Sequence, residues 1–325
     1  MYVPEFTKKL PVTKQIYTVI KKEKERLKYQ NKIRCHYHFT DRSGGKEKMC
    51  MVLAGYKPYL YKAVFGRIKK YLPQDVDLCV ITSGLHSDEI SEMCEKNQWS
   101  YLSTRENNVS LVQNVAITLH PKARYIFKLD EDIFITEKYF ETMYHDYLRV
   151  EEDDKYDIGF LAPLIPINGY GNMRILEKLN LIEQYESMFE KPKFAAGRDR
   201  MVENNPEVAR FFWGEGGYVP SIDEINYRFM QQEFQYFPCP IRFSIGAVLF
   251  TRKTFTDMGM FNVNRKGNAM GMDEEQLCTY CICQSKAIIV AENAVVGHLS
   301  FGMQNGAMRE YFERNEHIFG GGVTY

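Results

Sequence analysis

Arg124-Tyr-Ile-Phe-Lys-Leu129-Asp130-Glu131-Asp132-Ile133-Phe134 is the stretch on which the reading of this chain turns. The apolar run 124–129 reads as a strand, and 136–150 as a helix capped by Thr136 with Glu137 behind it. Two aspartates two residues apart, just where a hydrophobic strand stops, would repel one another. Such a pair makes chemical sense when a divalent cation, Mn2+ or Mg2+, lies between it and a polyphosphate. Alone, an Asp-x-Asp reads more readily as an acidic loop before a helix. Its place in the chain separates the two readings.

Upstream, strands and helices alternate. Residues 49–54 form a short apolar run ending at Gly55, and 58–71 read as a helix. A second strand, 76–82, stops at Ser83-Gly84, and a helix over 87–97 opens on Ser87 with acids in its first turn. Residues 100–103 and 110–119 supply a third strand and its helix, so the Asp-x-Asp follows the fourth strand. Downstream come a strand at 157–165, a strand at 242–251, a short helix at 252–259, a helix at 273–284 and a strand at 287–291. Alternation of this kind predicts an α/β fold, a mostly parallel sheet with helices on both faces. Ligands in such sheets gather at the carboxyl ends of the strands.

The rhythm fails between 166 and 240. That segment holds a helical pattern at 173–189 and the Gly-rich aromatic patch Phe211-Phe-Trp213-Gly-Glu-Gly-Gly-Tyr218, an insertion of the kind that carries substrate specificity. The expected organisation is a basic helical extension (1–46), a first half (47–170), an acceptor-side insertion (171–240) and a second half (241–325). In the extension, ten Lys and Arg between 8 and 34 face only Glu23 and Glu25, and Ile16, Val19, Ile20 and Leu27 recur at helical spacing. Either that stripe docks on the protein or the helix leans on anionic lipid headgroups.

Composition narrows the classes. The 325 residues are 45% hydrophobic and 26% charged, which suits a folded globular chain. Lys+Arg and Asp+Glu are 42 each, so the broad basic surface that nucleic-acid binding needs is missing. No run of 18 apolar residues occurs, and 1–10 lacks the apolar core of a secretory signal. The eight cysteines then read as reduced thiols of a cytoplasmic protein. Cys278-x-x-Cys281-x-Cys283 has ligand-like spacing, but it falls within a predicted helix with no second pair and reads as free thiols.

Two further constellations bear on chemistry. In Gly271-Met-Asp273-Glu274-Glu275-Gln-Leu277, a carboxylate opening a helix is placed to act as general base on a sugar hydroxyl, or merely to favour the helix dipole. In Val295-Val-Gly-His298-Leu299, a histidine after an apolar run is placed to complete a metal shell as a neutral imidazole, or to be structural.

With these residues in view, the chain resembles the GT-A-fold glycosyltransferases, closest to the inverting family 2 type. The likeness spans about 47–170, and 242–300 more loosely. It implies a Rossmann-like sheet and a manganese- or magnesium-dependent transfer from a nucleotide-diphosphate sugar, with UDP weakly favoured, to a glycan or lipid-linked hydroxyl. The setting would be polysaccharide biosynthesis, cytoplasmic or peripheral at the inner face of a membrane. Arg105-Glu-Asn-Asn108, with Asn114 beyond, is similar to the stretch that packs beside the nucleotide in that family. By the same likeness Ala54, Tyr56, Asp130 and Glu131 belong to the nucleotide-sugar site, and Asp132, Asp130 and His298 to the metal. Glu274 corresponds to the base, with Asp273 binding acceptor hydroxyls or standing in for it. Trp213 and Tyr218 either stack on the acceptor sugar or serve as core aromatics of the insertion. Two departures stand out. The second strand ends Thr82-Ser83-Gly84 where the family has an aspartate pair, and the first ends Ala54-Gly55-Tyr56-Lys57 without the usual proline turn. Tyr56 would stack on the base and Lys57 reach a phosphate.

Other classes make different demands. A haloacid-dehalogenase-like phosphatase also sets Asp-x-Asp after a strand, but near the start of its domain and followed by a small Thr or Val, where this chain has Ile133-Phe134. A non-catalytic sugar-nucleotide-binding module would bind without turnover. A sugar nucleotidyltransferase needs a Gly-rich basic loop after the first strand, which 54–58 is not.

Overall fold

Val76-Asp-Leu-Cys-Val-Ile-Thr-Ser83 is buried at every position, and so is Ile158–Leu164, so the sheet that holds them is covered on both faces. The computed structural model describes residues 11–197, 200–265 and 271–320, and among those the side chains of all but 11–16 and 25. The strands are β1 Tyr37–Thr40, β2 Lys48–Ala54, β3 Val76–Ser83, β4 Ser100–Thr104, β5 Tyr125–Asp130, β6 Ile133–Phe134, β7 Ile158–Leu164, β8 Tyr236–Pro238, β9 Ala247–Thr251, β10 Ala287–Val295 and β11 Gly297–His298. Nine of them form one sheet in the order β1-β4-β3-β2-β5-β9-β7-β10-β8, and β11 pairs with β6 in a small second sheet.

The sheet is mixed rather than mostly parallel throughout. Pairs β2–β3, β3–β4, β2–β5 and β7–β10 are parallel, as the alternating pattern requires. β1, β8 and β9 run antiparallel to their neighbours. An apolar run carries no direction; only a single crossover helix forces the parallel sense. Between β7 and β9 lies the long insertion instead, and the chain returns the opposite way.

Local chemistry explains the helix boundaries. Ser87 Oγ accepts from Ile90 N at 3.3 Å and starts Asp88–Asn97. Thr136 does not cap the next helix, because its hydroxyl donates to the Val295 carbonyl at 2.6 Å. Tyr139–Asp153 begins instead after Lys138, which is left-handed. The single helix expected at 173–189 is two, Gly171–Leu179 and Ile182–Met188, broken at left-handed Asn180.

The insertion does not stand apart as a layer of its own. β8 extends the main sheet, and the helix Ile222–Met230 sends Asn226 into the core, where it accepts from Val295 N at 3.1 Å and donates to the Glu137 carbonyl at 3.2 Å. Arg67, fully buried, binds Asp223 at 2.8 and 2.7 Å and the carbonyls of Phe319 and Ile135 at 2.7 and 3.0 Å. One guanidinium thus ties the first half to the insertion and the C-terminal region.

At the other end the helix Pro11–Asn31 is present as expected, but its apolar stripe is not docked: Val19 is 65% exposed, and Ile20 and Leu27 about half. Lys8, Lys9 and the side chains of Lys14 and Ile16 lie outside the described residues. Lys32 anchors the helix end, donating to the Gly259 carbonyl and Asn262 Oδ1 at 2.7 and 2.8 Å. Among the described residues no helix is long and apolar enough to cross a membrane. All eight cysteines are free thiols; burial pushes Cys278 and Cys281 up to about 12, while Cys283 is exposed.

Asp146, on the helix behind β10, carries a buried oxygen without a partner, and burial raises its carboxyl to about 7 against the pull of Arg149 and Asn293. An acid raised on folding destabilises the fold in its charged form, increasingly as pH climbs from about 4 towards 7 and constantly above. Asp146→Asn should therefore raise the melting temperature at pH 8, equivalent to ~2–4 kcal/mol, with the gain vanishing near pH 4. Thermal unfolding of both proteins across that range checks this; an equal effect at both ends refutes it.

Candidate active site

β2 and β5 lie side by side with Leu53 opposite Asp130, so their carboxyl ends are level. From β2 the chain steps to β3 and β4 on one side, then returns to β5 on the other. By the general rule for such sheets, a reversal of this kind marks the crevice at the strand ends where ligands bind. The three acids emerge into it.

Each acid is answered from a different direction. Lys128, on the same face of β5 two residues earlier, places its Nζ 2.5 Å from Asp130 Oδ1. Glu131 turns to β2 and accepts from Gly55 N at 2.9 Å and Tyr56 N at 3.1 Å, tying together the two loops that flank the crevice. Asp132 pairs with Lys57, the next residue of the β2 loop, and with His298, whose Nε2 is 3.3 Å from the same oxygen, Oδ2. Burial raises the carboxyls of Asp130 and Glu131, whereas His298 and Lys57 overcome the effect of burial on Asp132 and hold it well below the usual range. Lys128, also buried, stays above its ordinary value because Asp130 and Asp273 face it.

The small sheet is what delivers His298. β11 pairs with β6 so that His298 lies opposite Ile133, and Leu299 N donates to the Asp132 carbonyl at 3.0 Å. The imidazole is buried against the edge of Phe301, and its Nδ1 has no partner.

A second acidic group reaches the site from the helix Met272–Cys283. Asp273 is buried, its Oδ2 held by Gln113 Nε2 at 2.7 Å, and its charge acts on both Lys128 and Asp130. Glu274 pairs with Arg242 Nε at 2.6 Å and accepts weakly from Ile245 N at 3.3 Å. Burial raises Glu274 more than Arg242 lowers it.

The other expected site residues divide. Ala54 is buried under the loop, and Tyr56 spans the ends of β2 and β3, with its ring 56% exposed and its hydroxyl on the Ser83 carbonyl at 2.6 Å. Asn108 caps the helix Val109–Leu119 by accepting from Leu111 N at 3.0 Å; its own N–H donates to Ser83 Oγ at 2.6 Å, where the family has an acid. Arg105 is exposed on the same loop. Asn114 is fully buried and faces away, its amide spent on the carbonyls of Lys32 and Phe261 and on Phe261 N. Trp213 is a core side chain packed on Phe134 and Phe319, with Nε1 on the His298 carbonyl at 3.2 Å; Tyr218 is exposed and stacked on Phe211. The structure therefore brings Asp130, Glu131, Asp132, His298, Asp273, Tyr56 and Ala54 together, with Glu274 beside them, and leaves Asn114 and Trp213 in packing roles.

Sequence reasoning missed Lys128, Arg242 and Gly246. A lysine inside an apolar strand was the available signal for the first. The Gly246 carbonyl accepts from Asp130 N at 2.8 Å, and a Cβ there would come within 3.4 Å of Asp130 Oδ2 and 3.2 Å of Ile133. Gly84 is likewise fixed: φ is +78°, and a Cβ would meet Asn107 at 2.4 Å.

Among the described residues no cluster of three His, Cys, Asp or Glu side chains converges to hold a metal. Of the three expected ligands, Asp132 Oδ2 and His298 Nε2 meet and Asp130 is turned to Lys128. One carboxylate with one imidazole would fit a divalent ion whose remaining positions go to phosphate oxygens and water.

No family model matches the chain, and no curated protein does. Solved structures do, among them a mycobacterial protein that is 13% identical, with 82% of this chain and 72% of that one covered and a TM-score of 0.40. A likeness of that extent leaves function to the site's own geometry.

Proposed function

We propose that the chain is a glycosyltransferase of the GT-A type, moving a sugar from a nucleotide-diphosphate donor, a UDP-sugar by preference, to a glycan or lipid-linked hydroxyl with inversion. The observation that carries the reading is the meeting of Asp132 and His298 at 3.3 Å in the crevice where the sheet reverses, with Asp273 and Glu274 arriving from a separate helix. One half of that arrangement suits a diphosphate and the other a hydroxyl nucleophile.

Tyr56 offers an exposed ring at the base position, and the Glu131 clamp fixes the loop that carries it. Asp132 and His298 would hold Mn2+ or Mg2+, which when bound neutralises the departing diphosphate. Asp130, kept in place by Lys128, would meet the ribose or sugar hydroxyls. Glu274, its carboxyl raised by burial, would take the acceptor proton as the hydroxyl attacks the anomeric carbon from the face opposite the diphosphate. Asp273, oriented by Gln113, would bind a neighbouring acceptor hydroxyl. Holding the two reactants in line supplies much of the rate. The exposed Tyr218 is the better candidate for acceptor stacking, because Trp213 is committed to the core.

The helix Pro11–Asn31 supports a peripheral membrane contact. Half-exposed Val19, Ile20, Leu27 and Tyr29 stand among Lys22, Lys24 and Lys28, the pairing of apolar and basic groups that suits anionic headgroups.

Two outcomes follow. A panel of UDP-, GDP- and dTDP-sugars with Mn2+ should yield nucleotide diphosphate with at least one donor; Asp132→Ala should cut turnover about a thousandfold and Glu274→Gln by roughly 10²–10⁴, with circular dichroism unchanged. Turnover retained in Asp132→Ala, or inorganic phosphate released from a phosphoester instead, sinks the reading. In vesicle sedimentation the protein should bind phosphatidylglycerol but not phosphatidylcholine, and Lys22/Lys24/Lys28→Glu should abolish binding, at about 1 kcal/mol per lysine. Equal binding to both lipids would rule out the electrostatic contact.

A further inference from the structure

Among the described residues, Lys57 is the lysine that pairs with Asp132. Its side chain is only 21% exposed, and the ammonium bonds Asp132 Oδ2, the oxygen that His298 also faces. It further reaches Asn305 Oδ1 at 3.4 Å, which Ser300 Oγ holds at 2.7 Å. A mostly buried ammonium needs such partners. The backbone before it is pinned, since Glu131 binds the N–H groups of Gly55 and Tyr56, and Pro58 follows. What remains free to move is the four-carbon stem.

A metal ion held between Asp132 and His298 would take Oδ2, the oxygen that the ammonium and the imidazole both face, and two cations do not share it at close range. We propose that Lys57 is a built-in counter-ion of Asp132 that yields its place to a divalent cation and turns onto the oxygens of the incoming diphosphate. Asp132 then never stands uncompensated in its buried setting. Before binding, Lys57 neutralises it; afterwards the cation does, and the released ammonium meets the negative charge that arrives with the donor. Cation and diphosphate become coupled ligands, because each favours the position of Lys57 that admits the other. Free cation alone binds against the lysine, which protects the site from idle loading.

This inference rests on the diphosphate reading, yet one arm of its test does not. Binding of Mn2+ alone, read from the electron paramagnetic resonance of the free ion, should be about tenfold tighter in Lys57→Met than in the wild type, the size expected when a charge-assisted bond no longer competes. Lys57→Arg should stay near wild type, and Asp132→Asn should lose the ion in either background. With Mn2+ saturating, UDP, GDP or dTDP, whichever binds the wild type, should bind Lys57→Met about tenfold more weakly. Unchanged or weaker Mn2+ binding in a folded Lys57→Met overturns the proposal outright. Tighter Mn2+ binding with no nucleotide diphosphate bound by the wild type keeps the lysine as counter-ion but overturns its transfer to the diphosphate, and the transferase reading with it.

Discussion

Three consecutive carboxylates leave the end of one buried strand, and their charges have to be answered within a few ångströms because Glu131 and Asp132 are shut off from water and Asp130 is only partly exposed. Three different parts of the chain answer. Lys128 comes from the strand itself, the Gly55 and Tyr56 N–H groups from the neighbouring loop, and Lys57 with His298 from the two sides of the crevice. The rest of the site follows from that requirement. β5 must lie beside β2 for Glu131 to reach the loop, and β11 must pair with β6 for His298 to arrive. Just before β9, Gly246 keeps the space beside Ile133 and Asp130 open, since a Cβ there would press on Ile133 at 3.2 Å.

The same constraint shows why the acids are not simply a surface loop before a helix. A solvated loop leaves its carboxylates to water, whereas Asp132 and Glu131 are more than nine-tenths buried. Keeping charged groups there is unfavourable unless they are paired, and here both are. Polar groups held ready in a dry setting act more strongly on an arriving charge than the same groups in water.

Much of the frame was legible in the sequence. The parallel units β2 to β5 carry apolar runs, helical periodicity and capping residues such as Ser87 in register, so local preference and tertiary placement agree. The short antiparallel pieces were not legible. β6 and β11 are two residues each, and β1 and β8 three or four, too short for any period to declare itself. The acids of the site could be found because their spacing at a strand end is unusual. Their partners could not, since nothing local links Lys57 to Asp132 or Arg242 to Glu274. Lys128 was the exception in principle: a lysine at Phe127-Lys-Leu shares a face with Asp130 two residues on, and its burial calls for an acid. Asn114 and Trp213 show the opposite error, because a polar or aromatic residue in a suggestive stretch serves packing just as well.

The division between Asp273 and Glu274 follows from what holds each. Gln113 is a neutral donor fixed in the core, so it orients Asp273 without competing strongly for its charge. Arg242 is a cation, but its side chain is 57% exposed, and water weakens its hold on Glu274. Glu274 therefore keeps a raised affinity for a proton beside an exposed partner, which suits the role of base proposed for it. Asp273, close to Lys128 and Asp130 and held by Gln113, is on the proposed reading placed to bind a neighbouring acceptor hydroxyl. Adjacent acids at one helix start are thus separated in role by their partners rather than by their own chemistry.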